Sequence, residues 1–208
     1  MRLYVARHGE TDWNYEGRYQ GQRESTLTEL GRRQAEALAG ALADSGARRI
    51  LSSPLRRCVD TARPLAERLG ISVETDDRLL EIAHGNWEGR LRAEIERADG
   101  ERLRAWRNAP HTVTFPGGES LTDVDDRWRA FTDSLTGDAD VVVVTHDVLV
   151  RLAILTATRR KAAELWQPRV GNGGYATLKK SDAVWELLDE CRDEHLEGLH
   201  ADTSRQAL

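Results

Sequence analysis

Four consecutive valines, Val141 to Val144, constrain the fold of this chain more than any other segment. Valine is stiff at χ1 and favours strands, and a strand apolar at every position must be covered on both faces. Such strands occur in sheets held between layers of helices, so the remaining sequence is read for those layers. Residues 2–6, 49–52, 71–75, 175–178 and 184–188 read as further strands, with 140–145 spanning the valines. Thr26, three residues before Glu29, has capping-box spacing and opens a helix to about Asp44. Ser53-Pro54 supplies an N-cap and a first-turn proline for a helix over 54–69, which Gly70 ends. Residues 91–136 read as helical, broken by the loop 111–118 and restarted by the capping box of Ser120 and Asp123. A helix over about 148–157 follows the valines. The alternation predicts an α/β fold: a three-layer sandwich with a mainly parallel mixed sheet and helices on both faces.

The length of 208 residues suits one domain. We expect a single unit over 1–188, with 91–119 as a lid excursion and 189–208 as a flexible acidic tail. That tail holds six acids against Arg192 and Arg205, a net of -4 out of -5 for the whole chain. The body is therefore nearly balanced. Of 30 basic residues 27 are arginine, but they are scattered among acids, so no basic face for nucleic acid is expected. No apolar run approaches the ~20 residues that span a bilayer, and the apolar start at Leu3 is too short for a signal-peptide core. Cys58 and Cys191 make neither a disulfide framework nor a C-x-x-C knuckle, and His195 and His200 are poorly spaced for one helical face. The expectation is a cytoplasmic protein with reduced thiols, no metal, no cofactor and no membrane partner. A homodimer is compatible with the sequence.

Candidate chemistry gathers where strands end. Arg7-His8-Gly9 closes the first strand and Thr145-His146 closes the valine strand. In open α/β sheets ligands bind beyond the carboxyl ends of the strands, so both histidines can face one pocket. A lone histidine is more often structural; a pair beside Arg7 argues for function. On helix 54–69 the apolar stripe uses Leu55 and Val59, leaving Arg56 and Arg57 in the first turn, where their charge opposes the helix dipole. A bound phosphate dianion would account for such an arginine through bidentate hydrogen bonds. Glu81, in the turn Leu80 to Gly85, reads on its own as a solvated loop acid.

Several blocks in order carry a family resemblance. R-H-G-E-T at 7–11 resembles the signature of the histidine phosphatase superfamily, the phosphoglycerate mutase-like family. W-N-Y-E-G-R-Y-Q-G follows, then L-T-E-L-G at 27–31. S-S-P-L-R-R-C-V-D-T-A at 52–62 is similar to the family's Ser-x-x-x-Arg-x-x-x-Thr-Ala block and selects Arg57 over Arg56. L-x-E-x-x-x-G-x-W-E-G at 79–89 resembles its acid-bearing loop and marks Glu81. F-P-G-G-E-S at 115–120 and V-V-T-H at 143–146 match later blocks. The similarity runs to about residue 180.

The resemblance implies a two-step phosphoryl transfer. His8 is the nucleophile that becomes phosphohistidine; Arg7, Arg57 and His146 surround the equatorial oxygens; Glu81 is the proton donor and then the base. Thr11, Asn14, Arg18 and Gly21 are candidate substrate contacts. Asp147 replaces the family's usual glycine; we read its side chain as an N-cap for the helix at Val148 and count its backbone N–H among the substrate contacts. His84 is expected at the pocket mouth, and Trp106, Arg107 and His111 in the lid. The reading is a phosphomonoesterase acting on a small-molecule phosphomonoester. The alternatives are a phosphoglycerate mutase and a non-catalytic relative that binds a phosphorylated ligand.

Overall fold

The computed structural model describes residues 1–182 and 184–207. In chain order the elements are β1 (Arg2–Arg7), α1 (Asp12–Glu16), α2 (Glu29–Leu42), β2 (Arg49–Ser52), α3 (Arg56–Leu69) and β3 (Val73–Thr75). There follow α4 (Arg92–Asn108), α5 (Leu121–Asp133), β4 (Val141–Thr145), α6 (Asp147–Thr158), β5 (Tyr175–Ser181) and β6 (Val184–Arg192). They form one six-stranded sheet in the order β3-β2-β4-β1-β5-β6. The four strands from β3 to β1 are parallel, and β5 and β6 are antiparallel.

The valine strand lies at the centre, and its pleat feeds two cores. Val141 and Val143 pack with Leu3, Val5 and Leu51 against α5 and α6. Val142 and Val144 pack with Tyr4, Ala6 and Ile50 against residues of α2 and α3. Alternate side chains point to opposite faces of a strand, so one continuous apolar run supplies both layers. Helix α6 is buried through Val148, Leu149, Val150, Leu152, Ala153 and Ile154. The three-layer α/β sandwich expected from the sequence is the fold observed.

Several boundaries differ from the sequence reading, each for a local reason. Thr28, not Thr26, caps α2, with its hydroxyl accepting from Gly31 N at 3.0 Å; the Thr26 carbonyl accepts from Asp12 N instead. Helix α3 begins at Arg56 with Leu55 as its N-cap; the Ser53 hydroxyl accepts from Leu55 N at 3.4 Å, before the helix, and meets His146 Nε2 at 2.8 Å. Residues 91–119 bury Ile95, Leu103, Trp106, Val113 and Phe115 in the α5–α6 core. Beyond 188 the chain completes β6 and then buries Leu196, Gln206 and Ala207. No helix among the described residues is long and apolar enough to cross a membrane.

Candidate active site

The register of the sheet assembles the site. Strands β1 and β4 are parallel neighbours with Arg7 opposite Thr145, so the residues that follow, His8 and His146, leave the sheet side by side. The His8 amide donates to Thr145 O at 3.0 Å, and the two imidazoles pack edge to face with centroids 5.3 Å apart. On the other flank Ser53 leaves β2, its amide donating to Val144 O at 3.0 Å. Gly9 is required by close approach: a Cβ there would collide with the Gly31 carbonyl. A Cβ at Gly31 would in turn strike the Glu10 carbonyl, so both R-H-G and L-T-E-L-G carry glycine.

His8 is buried, with Nδ1 2.7 Å from Gly9 O. A carbonyl accepts only, so Nδ1 carries the proton and the neutral ring leaves its Nε2 lone pair free. Burial, followed by the Arg57 and Arg7 charges, holds His8 well below the usual histidine value. Glu81 behaves oppositely: burial first, then the Asp147 carboxylate, raises it to about 7. The pair is pushed apart, the imidazole toward its neutral form and the carboxyl toward its protonated form near neutral pH.

Two arginines flank them. Arg57 is buried in the first turn of α3. It donates from Nε to His146 Nδ1 at 3.3 Å, from Nη1 to Arg23 O and from Nη2 to Gly21 O, each of the last two at 2.7 Å. Gly21 has φ of +50°, which a side chain would resist, and a Cβ would strike the Glu88 carboxylate. Arg56, by contrast, is exposed and pairs with Asp60. Arg7 donates from Nη1 to Val170 O at 2.8 Å and from Nη2 to Gln206 Oε1 at 2.6 Å. Its Nε is buried with no partner among the described residues, a donor aimed at no acceptor.

Asp147 is not the N-cap that the sequence suggested. Helix α6 starts one residue early, with His146 in the cap position and Asp147 already helical. Its buried carboxylate bridges Arg7 Nη1 at 3.2 Å and Arg151 Nε at 2.7 Å. The i,i+4 spacing of Asp147 and Arg151 on one helical face permits this, and two buried guanidiniums demand it.

Other expected contacts divide. Arg7, His8, Asn14, Gly21, Arg57, Glu81, His84 and Asp147 all line one cavity, whose volume is about 20 Å3. His146 lies behind this wall, fully buried. Thr11 is buried as the cap of α1, bonded to Asn14 and to Gln20, and does not reach the cavity. Arg18 spends its guanidinium on Glu16 and on Gly89 O, fastening the loop after α1 to the loop after Glu81. His84 is a buried wall rather than the mouth; its ring sits 4.7 Å from Phe115, centroid to centroid, and both of its nitrogens lack a partner among the described residues. Burial, with a smaller contribution from Arg57, lowers it to about 3. Among the described residues no three side chains form a group suited to a metal ion.

Gln206 was missed. Its Nε2 donates to Asn172 Oδ1 at 2.8 Å while Oε1 accepts from Arg7, and Ala207 beside it completes the cavity wall. The only sequence signal was a glutamine and an alanine ending an acidic tail, which carries no periodicity to read.

A neutral imidazole, a carboxyl raised toward neutral pH and two buried guanidiniums meet at one end of the sheet, an arrangement able to hold a phosphoryl group. The chain belongs to the histidine phosphatase superfamily (branch 1), whose family model matches residues 3–192. It is 36% identical over 181 residues to phosphoserine phosphatase 1 of Hydrogenobacter thermophilus, covering 86% of each chain. It is 40% identical over 200 residues to glucosyl-3-phosphoglycerate phosphatase of Mycobacterium tuberculosis, covering 88% of this chain and 86% of that one. A mycobacterial glucosyl-3-phosphoglycerate phosphatase solved with VO3 superposes with a TM-score of 0.84 at 35% identity, covering 90% of this chain and 97% of that one. This chain is a metal-independent phosphomonoesterase that hydrolyses a small phosphorylated metabolite through a phosphohistidine.

Proposed function

We propose that His8 is the nucleophile, Glu81 the proton donor and then the base, and Arg7 and Arg57 the charge partners of the phosphoryl group. The observation that carries this reading is the hydrogen bond from His8 Nδ1 to Gly9 O, which leaves Nε2 as the attacking lone pair in a cavity shared with Glu81. In the first step His8 Nε2 forms the N–P bond as the ester P–O bond breaks, and the leaving alkoxide takes the Glu81 proton. In the second step a water oxygen attacks phosphorus and gives its proton to the Glu81 carboxylate. The N–P electrons return to Nε2 and phosphate departs. Charge on the phosphoryl oxygens meets fixed guanidinium donors, the main catalytic contribution in such transfers. His146 holds Arg57 and packs on His8 beside the phosphoryl site.

The substrate we propose is compact, of the size of a phosphorylated amino or hydroxy acid. Gln206 Oε1 stands against Arg7 where a phosphoryl oxygen would sit, and Ala207, Val148 and His84 bound the space around it. A neutral His84 offers one donor and one acceptor to the leaving group, which suits a carboxylic or amino acid. The test is phosphate release from phosphoserine, 3-phosphoglycerate and glucosyl-3-phosphoglycerate. We expect kcat/KM at least tenfold higher for phosphoserine than for the glucosylated ester, and no accumulation of 2-phosphoglycerate. A preference for the glucosylated ester would overturn the size argument and leave the chemistry standing; isomerisation outpacing phosphate release would favour a mutase.

A further inference from the structure

Ser53 is buried, lies outside the cavity and reads in sequence as a helix cap, yet among backbone amides its hydroxyl accepts from that of Leu55, the residue before α3, at 3.4 Å, and from none within the helix. Its Oγ lies 2.8 Å from His146 Nε2. On the other side of the same ring Nδ1 lies 3.3 Å from Arg57 Nε. A guanidinium N–H can only donate, so His146 Nδ1 must accept and carry no proton. Burial and the surrounding arginines keep this imidazole neutral, which leaves its one proton on Nε2. Two groups stand within reach of that proton: the Ser53 hydroxyl at 2.8 Å and, at 3.4 Å, the Cys58 sulfur, a weaker acceptor whose own S–H donates to Thr145 O.

We propose that Ser53 is a positioning residue for the phosphatase reaction, acting through His146 on Arg57. The polar chain is Ser53 Oγ, accepting from His146 Nε2–H, whose Nδ1 accepts from Arg57 Nε–H. It decides the tautomer of His146, and the tautomer decides where the guanidinium lies. In the opposite tautomer an N–H at Nδ1 would face the Arg57 N–H, donor against donor, and would push Arg57 off the Gly21 and Arg23 carbonyls. With the chain intact, three of the five Arg57 N–H bonds are committed, to His146, Arg23 and Gly21. One N–H remains on each terminal nitrogen, and these two are what the side chain offers a phosphoryl group. Sheet register supplies the geometry: the Ser53 amide is tied to Val144 O, one residue ahead of Thr145-His146. A structural cap would leave Arg57 indifferent to Ser53. This chain does not.

The inference rests on the assignment of Arg57 as a phosphoryl partner, and two measurements separate its failure from the failure of that assignment. The first needs no substrate. Imidazole 15N spectra of the wild-type protein should show His146 neutral with its proton on Nε2; a proton on Nδ1 overturns the proposal whatever the enzyme does. The second compares Ser53→Ala and Ser53→Thr with wild type on p-nitrophenyl phosphate, with inorganic phosphate as competing anion. Partners that orient a metal-ligating histidine through its other nitrogen are worth about 10–100-fold, and the same range is expected for this metal-free relay. Ser53→Ala should lose kcat/KM by that factor, and its inhibition constant for phosphate should rise in parallel, with a cooperative thermal transition retained. Ser53→Thr, which keeps the hydroxyl, should recover the Nε2–H signal and most of the phosphate affinity. A folded Ser53→Ala enzyme with wild-type kcat/KM and phosphate inhibition would overturn the relay. A wild-type protein inactive on every phosphomonoester would instead remove the reading on which it stands.

Discussion

Arg7 meets two very different neighbours at one end of the sheet. On one side lie His8, Arg57 and Glu81, delivered by strand ends and a helix start. On the other lies Gln206, 199 residues along the chain, which reaches Arg7 at 2.6 Å. The first group is held by backbone: β1 is paired with β4 and β5, and Arg57 is pinned to two carbonyls and to His146. Among the described residues the closing segment pairs with no strand. Its ties include Gln34 Nε2 to Leu199 O, His195 Nε2 to Gly173 O, Arg92 Nη1 to Ser204 O, the Gln206 side chain with Arg7, Asn14 and Asn172, and the buried Leu196. Many backbone bonds make an anchor that local changes cannot move, and few side-chain bonds make a wall that can open. The anchor should therefore set whether the reaction occurs, and the closing segment which ester is admitted.

The comparison breaks most severely at His8, the proposed nucleophile. His8→Ala should lose activity by about 10^4-fold or more and take up no phosphoryl label from a 32P ester. Activity within tenfold of wild type would remove the anchor from the chemistry.

Glu81→Gln comes next, with a loss of about 10^2–10^4-fold on an alkyl phosphate and a much smaller loss on p-nitrophenyl phosphate. Since Glu81 is raised to about 7, wild-type kcat/KM for an alkyl ester should fall above that pH as the acid loses its proton. The variant should lack this limb. Stability carries the same sign. A carboxyl raised from 4.5 to about 7 favours the fold fully below pH 4.5, and that advantage is lost as pH rises through about 7. At pH 8 Glu81→Gln should be the more stable protein by about 3 kcal/mol, and denaturant titrations at pH 5 and 8 measure the change.

Asp147→Asn tests where anchor and wall join. It leaves Arg7 and Arg151 buried without their shared carboxylate, a cost of about 3–5 kcal/mol. It should also move the alkaline limb of the rate profile to lower pH, because Asp147 is the second cause of the raised Glu81 value. An unchanged melting temperature would show that the bridge is not formed in solution.

The smallest effect belongs to the wall. Gln206→Ala should leave kcat on p-nitrophenyl phosphate within about threefold, while narrowing the preference for compact over bulky esters; a fractionally closed site lowers apparent affinity only by the fraction closed. A collapse of kcat on the small substrate would place Gln206 in the anchor.

Much of the anchor is legible in the chain because it is local or periodic. The valine run announces a doubly covered strand, the four-residue spacing of Arg57 and Thr61 puts both on one helical face, and R-H-G stands at a strand end. Glu81 was legible only through the resemblance, since nothing in a turn acid announces burial. Asp147 was misread for a related reason. Its capping propensity is intrinsic, whereas its partners are Arg7, from β1, and Arg151, one helical turn on. Arg18 and Thr11 looked equally suited to substrate, but α1 uses both to fasten its own loop.

By itself, then, the sequence determined the layers, the mainly parallel sheet and the placing of two histidines at strand ends, because side-chain periodicity and the alternation of elements are properties of the chain. Tertiary structure decided which charges are buried together. Burial and proximity shift Glu81 up and His8 down, turn Ser53 from a helix cap into a partner of His146, and set Gln206 against Arg7. Desolvation and hydrogen bonding depend on everything packed around a group, and no spacing along the chain encodes that sum.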